Sequence, residues 1–211
     1  MTFKINTKIS IILLSLLFFV FSFLFIILFF QFPQKNEISQ KINFKSDFNL
    51  IDHNGNNVSI KTFEGKSSAI FFGFTYCPDI CPITISNLSY WLDQLDQPAS
   101  KLTAYFISVD PERDTIEYIR DYIQNFSSKI VGISGQQNEL DILLKAFDIY
   151  AKKVPFADND YNIEHTSLIY LTDPQFNLID TISYGEDEKT ALKKIQKVLD
   201  YSTSKITIDS K

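Results

Sequence analysis

Residues 71–82 read Phe71-Phe72-Gly73-Phe74-Thr75-Tyr76-Cys77-Pro78-Asp79-Ile80-Cys81-Pro82. The segment opens with a continuous apolar run of strand length, which stops just before the only two cysteines of the chain. An apolar run that ends at a cysteine beside a proline, and is followed by a periodic segment, predicts a buried strand, a tight turn and a helix start. We therefore expect the chemistry of this protein to lie on that turn.

Apolar periodicity on either side of this stretch predicts an α/β domain. Alternating residues around His53-Asn54-Gly55-Asn56 predict a β-hairpin over 47–60. The other predicted strands span 69–74, 102–109, 130–133, 166–171 and 178–183, and helical stripes cover 85–95, 116–126, 136–150 and 187–201. The polar residues 151–164, with the acidic cluster of Asp158, Asp160 and Glu164, predict a long loop. Strands separated by helices, closing with a hairpin and a last helix, predict a thioredoxin-like mixed sheet with helices on both faces.

The composition excludes disorder and nucleic-acid binding, and the N-terminus indicates a membrane anchor. The chain has 211 residues, a net charge of -5 and 45% hydrophobic residues, so it offers no basic field. No charged residue lies between Lys8 and Lys35, and the 22 residues from Ile9 to Phe30 would form a helix of roughly 33 Å against a hydrocarbon core of about 30 Å. No small-residue cleavage site follows, which favours an uncleaved transmembrane helix over a signal peptide.

The predicted organisation has five parts. They are a cytoplasmic N-terminus (1–8), a transmembrane anchor (9–32), a polar tether (33–46), the thioredoxin-like domain (47–201) and a polar tail (202–211). Lys4 and Lys8 precede the span, so the positive-inside rule places the domain outside the cytoplasm, in an oxidising compartment. Low Gly with abundant Ile, Lys and Asn indicates an AT-rich bacterial genome. The membrane would then be the bacterial inner membrane and the domain would be periplasmic, and the mitochondrial inner membrane is the alternative.

The spacing of Cys77 and Cys81 and the position of His165 predict a metal site. Two cysteines four positions apart lie on one helical face, so both sulfurs point the same way if the helix begins near Pro78. The loop entering a late thioredoxin-like strand, where His165 lies, passes beside that helix, whereas His53 is typical of a solvated turn. Two thiolates and one imidazole form a soft ligand set that suits three-coordinate Cu(I), while zinc would need a fourth ligand.

Three motifs resemble those of the Sco/SenC family, copper-binding assembly factors of cytochrome c oxidase. The first is the stretch 71–82 quoted above. The second is Ile107-Ser108-Val109-Asp110-Pro111-Glu112-Arg113-Asp114-Thr115, and the third is His165-Thr166 followed by Ile169-Tyr170-Leu171 and Asp173-Pro174. They occur in matching order across residues 47–201, and an N-terminal membrane anchor also fits that family.

The resemblance implies one copper ion, Cu(I) or Cu(II), held by Cys77, Cys81 and His165. It also implies a metallochaperone that helps assemble the binuclear copper site of cytochrome c oxidase subunit II or a similar copper protein. The motifs do not decide between copper delivery and reduction of the target cysteines. One departure is Glu164, which stands where the family commonly has Asp and which brings into question any orientation of His165 by that carboxylate.

Other readings of the same residues remain open. Cys77 and Cys81 also suit a thiol-disulfide oxidoreductase without obligatory metal, in which both are redox-active. A peroxidase would use a single thiolate with a nearby arginine, and a structural disulfide would be awkward for two cysteines four positions apart on a helix. For Asp110 and Pro111 the expected role is to shape a turn, and Asp114 or Thr115 is expected to cap the following helix. The alternative is an electrostatic role of Asp110 and Arg113 near the site, because they follow the end of a strand adjacent to the cysteine strand.

Overall fold

The computed structural model describes residues 7–31, 39–95, 101–156 and 160–209. The chain divides into two compact units, residues 1–38 and 39–211. Helix α1 (Thr7–Gln31) lies in the first unit and coincides with the predicted anchor. Over the described part of the chain, no helix is both long enough and apolar enough to cross a membrane, so the anchor stays a prediction.

The second unit contains ten strands and five helices among its described residues. The strands are β1 (Gln40–Lys41), β2 (Leu50–Asp52), β3 (Asn57–Val58), β4 (Ser67–Gly73), β5 (Leu102–Ser108), β6 (Ile130–Ser134), β7 (Ala151–Pro155), β8 (Tyr161–His165), β9 (Leu168–Thr172) and β10 (Asn177–Ser183). The helices are α2 (Ile60–Phe63), α3 (Ile80–Leu95), α4 (Ile116–Gln124), α5 (Gln137–Ala146) and α6 (Glu188–Asp209).

Eight of the strands form one mixed sheet in the order β1-β10-β9-β4-β5-β6-β2-β3. Strand β4 is central, parallel to β5 on one side and antiparallel to β9 on the other, and all its residues are buried. Burial on both faces explains why its sequence is continuously apolar rather than alternating. The predicted central strand is confirmed, and it places the cysteine turn at the carboxyl end of β4, near the middle of the sheet.

Helices cover both faces of this sheet, as predicted. Helix α3 packs against α6, and Tyr122 of α4 contacts Phe106 of β5. On the opposite face, Phe147 at the end of α5 packs against Phe72 and Tyr170. A core of aliphatic and aromatic side chains fills both layers, so the sheet is a rigid platform for the turn that carries the cysteines.

The predicted hairpin at 47–60 is also confirmed. Strands β2 and β3 pair antiparallel, and the Asp52 carboxylate closes the turn by accepting hydrogen bonds from the backbone N–H groups of Asn54 and Asn56. Burial by itself would raise the pKa of Asp52, but a hydrogen bond from the Asn56 side-chain amide, together with these two backbone N–H groups, lowers it. Short polar side chains that bond to their own backbone are the usual device of such turns.

Part of the prediction between 136 and 211 is wrong. Residues 151–164 are not simply a loop, because β7 and β8 pair antiparallel as a separate two-stranded sheet. Helix α5 ends at Ala146, since Asp148 adopts a positive φ of 53° that ends helical geometry. Helix α6 continues to Asp209, through most of the predicted tail. Asp158 of the acidic cluster in this segment lies outside the described residues.

Candidate functional site

The cysteine turn begins at Gly73, where the backbone lies close to the side chains around it. A Cβ atom at this position would lie 2.8 Å from a ring carbon of Phe106, 2.9 Å from one of Phe71 and 3.1 Å from the Cys81 sulfur. Glycine is therefore required for the close approach of Cys81 to the end of β4. Cys81 has no exposed surface, whereas Cys77 is partly exposed, and both are free thiols.

Helix α3 begins at Ile80, later than the predicted start near Pro78. Cys77 therefore precedes the helix and Cys81 lies in its first turn, so the two sulfurs do not share a helical face. The turn brings them together instead, because the Cys81 N–H donates to the Cys77 sulfur at 3.4 Å. Backbone N–H groups in the first turn of a helix have no helical partner, and here the Cys77 sulfur accepts one of them.

His165 ends strand β8 and faces Cys81. Its Nε2 lies 3.5 Å from the Cys81 sulfur, and its Nδ1 lies 3.0 Å from the Thr166 carbonyl oxygen. A carbonyl only accepts, so we assign the ring proton to Nδ1, which leaves the Nε2 lone pair directed at the cysteines. Edge-on contacts with Phe71 and Phe74 hold the ring between them. The structure thus brings Cys77, Cys81 and His165 together.

Two other residues considered from the sequence lie elsewhere. The Nδ1 of His53 accepts a hydrogen bond from the Gly132 N–H at 2.9 Å, so its side chain joins the hairpin turn to β6 rather than lying free in solvent. Glu164 is exposed and precedes His165 in β8, so the two side chains point to opposite faces of that strand. The Thr166 carbonyl, rather than Glu164, therefore orients His165.

The two thiols differ strongly in acidity. The pKa of Cys77 falls to about 4, chiefly because the Cys81 thiol donates a hydrogen bond to its sulfur. Burial opposes this change, while the backbone N–H groups of Asp79 and Cys81 support it. The hydrogen bond to Cys77 and burial both raise the pKa of Cys81. At neutral pH the pair therefore carries one thiolate, on the more accessible cysteine.

Asp114 positions the cysteine turn, a role that sequence reasoning missed. Its buried carboxylate accepts the Thr75 N–H at 3.1 Å, the Thr75 hydroxyl at 2.5 Å and the Ser108 hydroxyl at 2.6 Å. Burial raises the pKa of Asp114, and these hydrogen bonds work against that increase. Thr115, not Asp114, caps α4 by accepting the Tyr118 N–H. No local pattern signals the contact, because Thr75 lies 39 residues before Asp114.

The donor set and its spacing fit a small soft metal ion. Sulfur and imidazole ligands lie about 2.0–2.3 Å from a metal, so two of them at trigonal angles are separated by about 3.5–4.0 Å. The 3.5 Å between the Cys81 sulfur and Nε2 of His165 falls at the near end of that range. Among the described residues, however, no group of three or more His, Cys, Asp or Glu side chains is arranged so that it could hold a metal ion as it stands. The three-ligand assignment therefore stays a proposal.

Comparison with solved structures and curated sequences identifies close relatives. The structure of Bradyrhizobium japonicum ScoI with copper bound superimposes with a TM-score of 0.68 at 36% identity, covering 74% of this chain and 99% of that one. Yeast Sco1 with copper bound gives a TM-score of 0.66 at 34% identity, covering 72% and 86%. The human mitochondrial SCO1 homolog is 38% identical over 145 residues, 67% of this chain and 48% of the relative.

The chain spans about half the length of the first curated relatives it matches, or less. The SCO1/SenC family model matches residues 36–200, most of the sequence. That match, the thioredoxin-like fold of the copper-bound neighbours and the identity of more than 30% agree with one another. The chain belongs to the SCO1/SenC family.

Proposed function

We propose that this protein is a copper chaperone in which Cys77, Cys81 and His165 hold one copper ion as cargo. The observation that carries the proposal is the convergence of these three side chains, with the Nε2 lone pair 3.5 Å from the Cys81 sulfur. Cys77 is already a thiolate at neutral pH, so only Cys81 has to lose a proton when the metal binds. The Nδ1 hydrogen bond to Thr166 keeps His165 in the tautomer that a metal ligand needs.

The chemistry of the donors supports copper over harder metals. Thiolate sulfur is a soft ligand, and two thiolates with one imidazole satisfy three-coordinate Cu(I), while Cu(II) would take a further ligand. Solved relatives at 36% and 34% identity contain copper. Aromatic rings of Phe71 and Phe74 border the histidine, and this apolar border limits the access of water to the ligands.

The family match supports a target and a location for this activity. We place the protein in the assembly of the binuclear copper site of cytochrome c oxidase subunit II or a similar copper protein. The apolar sequence 9–32 would anchor it in the inner membrane, with residues 47–201 in the periplasm of a bacterium, or on the equivalent side of the mitochondrial inner membrane. Residues 33–46 would then serve as the tether.

Copper titration of the purified full-length chain tests the ligand assignment. The reduced protein should bind about one copper ion, and His165→Ala should weaken binding and change the copper spectrum. His53→Ala is the matched control, because His53 is the only other histidine and its side chain bonds to Gly132. Unchanged affinity and spectrum in His165→Ala would show that this histidine is not a ligand.

A second function, reduction of target disulfides, is favoured by the low pKa of Cys77. Its thiolate would attack a disulfide sulfur of the target and release one target thiolate, forming a mixed disulfide. Cys81, after giving up its proton, would then attack the Cys77 sulfur and release the second target thiolate. The products are a Cys77–Cys81 disulfide and a target dithiol, so two electrons pass to the target.

The two functions differ in their need for His165. A metal-free, reduced chain incubated with a disulfide-bonded peptide of the copper-site type should reduce it, and Cys77→Ser should abolish the reaction. His165→Ala should retain most of the reduction while losing copper. If the metal-free parent protein does not reduce the peptide, the reductase function is rejected and the copper function is unaffected.

A further inference from the structure

The β-hairpin that carries His165 has few apolar contacts. Strands β7 and β8 form a sheet of their own, apart from the eight-stranded sheet. Of the residues in these two strands, only Ile163 is buried. Burial of one side chain gives little hydrophobic stabilisation, so polar contacts must supply most of what holds this hairpin in place.

Arg113 makes the main polar contacts between the hairpin and the rest of the domain. Its Nε donates to the Asp110 carboxylate at 2.5 Å, and that carboxylate has no exposed surface. Its Nη1 donates to the Tyr161 carbonyl at 2.8 Å and to the Asp160 carboxylate at 3.0 Å. One guanidinium group thus joins the loop after β5 to the start of β8, and a planar fork of donors is what such a bridge requires.

Tyr161 reinforces the same connection from the hairpin side. Its hydroxyl donates to Asp110 at 2.7 Å, and its ring lies 3.8 Å from the guanidinium carbon of Arg113. Lys153 of β7 pairs with Glu112 at 2.6 Å and lies 4.4 Å from the centre of the Tyr161 ring. A cation over an aromatic face adds to these hydrogen bonds, most strongly where water is excluded.

We propose that Arg113 is a positioning residue that latches the β7–β8 hairpin and thereby sets the position of His165. This inference rests on the proposed copper function, and Arg113 itself does not touch the metal. Tyr161 and His165 are the two ends of β8, so a shift at the latch moves the histidine. Cys81 belongs to α3 and does not move with the hairpin. Opening the latch therefore separates His165 from the cysteines and speeds copper release.

The base of the hairpin keeps contacts that do not depend on Arg113. The Thr166 N–H donates to the Tyr150 carbonyl at 3.0 Å, and the Tyr150 N–H donates to the Thr166 hydroxyl at 3.0 Å. These bonds do not involve Arg113, so they remain when the latch opens. Opening the latch therefore loosens the hairpin without unfolding the domain.

Hydrogen exchange on the metal-free, full-length chain tests the latch without copper. In Arg113→Ala the backbone amides of β7 and β8 should exchange about tenfold faster than in the parent, since hydrogen bonds to a charged group are lost, and those of α3 should not change. Arg113→Lys keeps the charge but lacks the planar fork of donors, so its hairpin amides should exchange at a rate between those of the parent and Arg113→Ala. The matched control is Arg120→Ala, because Arg120 bonds to the His53 carbonyl, away from the hairpin.

Copper release to a chelator gives the second readout. Arg113→Ala should release copper about tenfold faster than the parent, and Arg120→Ala at the parental rate. If Arg113→Ala does not fold, Tyr161→Phe removes only the hydroxyl bond to Asp110 and should accelerate both processes by a smaller factor.

The possible results separate this inference from the proposed function. If the amides of β7 and β8 exchange no faster in Arg113→Ala than in Arg120→Ala, Arg113 does not latch the hairpin. Faster hairpin exchange with an unchanged release rate overturns the link to His165. If the parent chain binds no copper, the chaperone proposal fails, while the exchange data still decide whether Arg113 latches the hairpin.

Discussion

Replacing Cys81 with alanine should raise the pKa of Cys77. The main cause of the low value, about 4, is the hydrogen bond that the Cys81 thiol donates to the Cys77 thiolate. A hydrogen bond to a charged group contributes about 1.5–3 kcal/mol, and one pKa unit corresponds to about 1.36 kcal/mol, so the expected rise is about one to two units. Because the pKa of Cys81 is raised, the substitution removes a neutral donor and no charge.

The assay is a pH titration of thiolate absorbance in reduced, metal-free protein, with alkylation rates as a second readout. The alanine variant has a single cysteine, so its curve reports Cys77 alone. Cys81→Ser is the matched control, because its hydroxyl still donates to the thiolate and should keep the midpoint closer to that of the parent.

Two results would contradict this reasoning. A parent midpoint near the ordinary cysteine value of 9.0 would mean that the turn does not stabilise a thiolate. Equal midpoints for the alanine and serine variants would mean that the neighbouring donor is not the main cause. In that case the backbone N–H groups at the start of α3 would account for the low pKa.

Three further predictions concern stability and geometry around the same turn. Gly73→Ala should cost about 1–3 kcal/mol of unfolding free energy, measured by urea titration, and weaken copper binding, because the added Cβ displaces the buried Cys81. Gly132→Ala is the control: its added Cβ would meet α4, so this variant should lower the stability of the domain and leave its copper affinity unchanged. Thr75→Val should cost about 1–3 kcal/mol, because the buried Asp114 loses a donor, whereas Thr75→Ser should remain near the parent in thermal unfolding. The pKa of Cys77 is lower in the folded chain than in the unfolded chain, so its thiolate stabilises the fold above pH 9 and progressively less as pH decreases towards 4. The difference in unfolding free energy between the parent and Cys77→Ser should therefore be largest above pH 9. A difference that does not change with pH in urea titrations would contradict this prediction.

The elements that carry the cysteines could be predicted because their signals are local. The run from Phe71 to Phe74 is apolar at every side-chain position, and the turn residues mark its end, so strand and turn follow from a few neighbouring residues. The position of His165 beside Cys81 followed from topology, since strand order limits which loops can reach the start of α3. Its role as a ligand stays a prediction.

The features that the sequence did not predict either depend on contacts between residues distant in sequence or bury little surface. Strands β7 and β8 expose most of their side chains, and only Ile163 is buried. The alternation in β8 of Tyr161 and Ile163 with polar neighbours is too short to distinguish a strand from a polar loop. The sequence predicted Asp114 or Thr115 as the helix cap, and Thr115 is the cap, whereas Asp114 is buried and accepts hydrogen bonds from Thr75 and Ser108. Arg113 and Tyr161 are 48 residues apart, and no periodicity reveals a contact at that separation.

In the proposed copper site, the unequal exposure of the two sulfurs would give copper exchange a direction. Cys81 is sealed beneath the turn by Gly73 and the neighbouring rings, so an incoming thiolate from a partner can approach only from the side of Cys77. Cys77 would then be the first ligand exchanged and Cys81 the last to let go. A stepwise exchange of this kind would keep the metal bonded to sulfur throughout, so no free copper ion would be released between donor and acceptor.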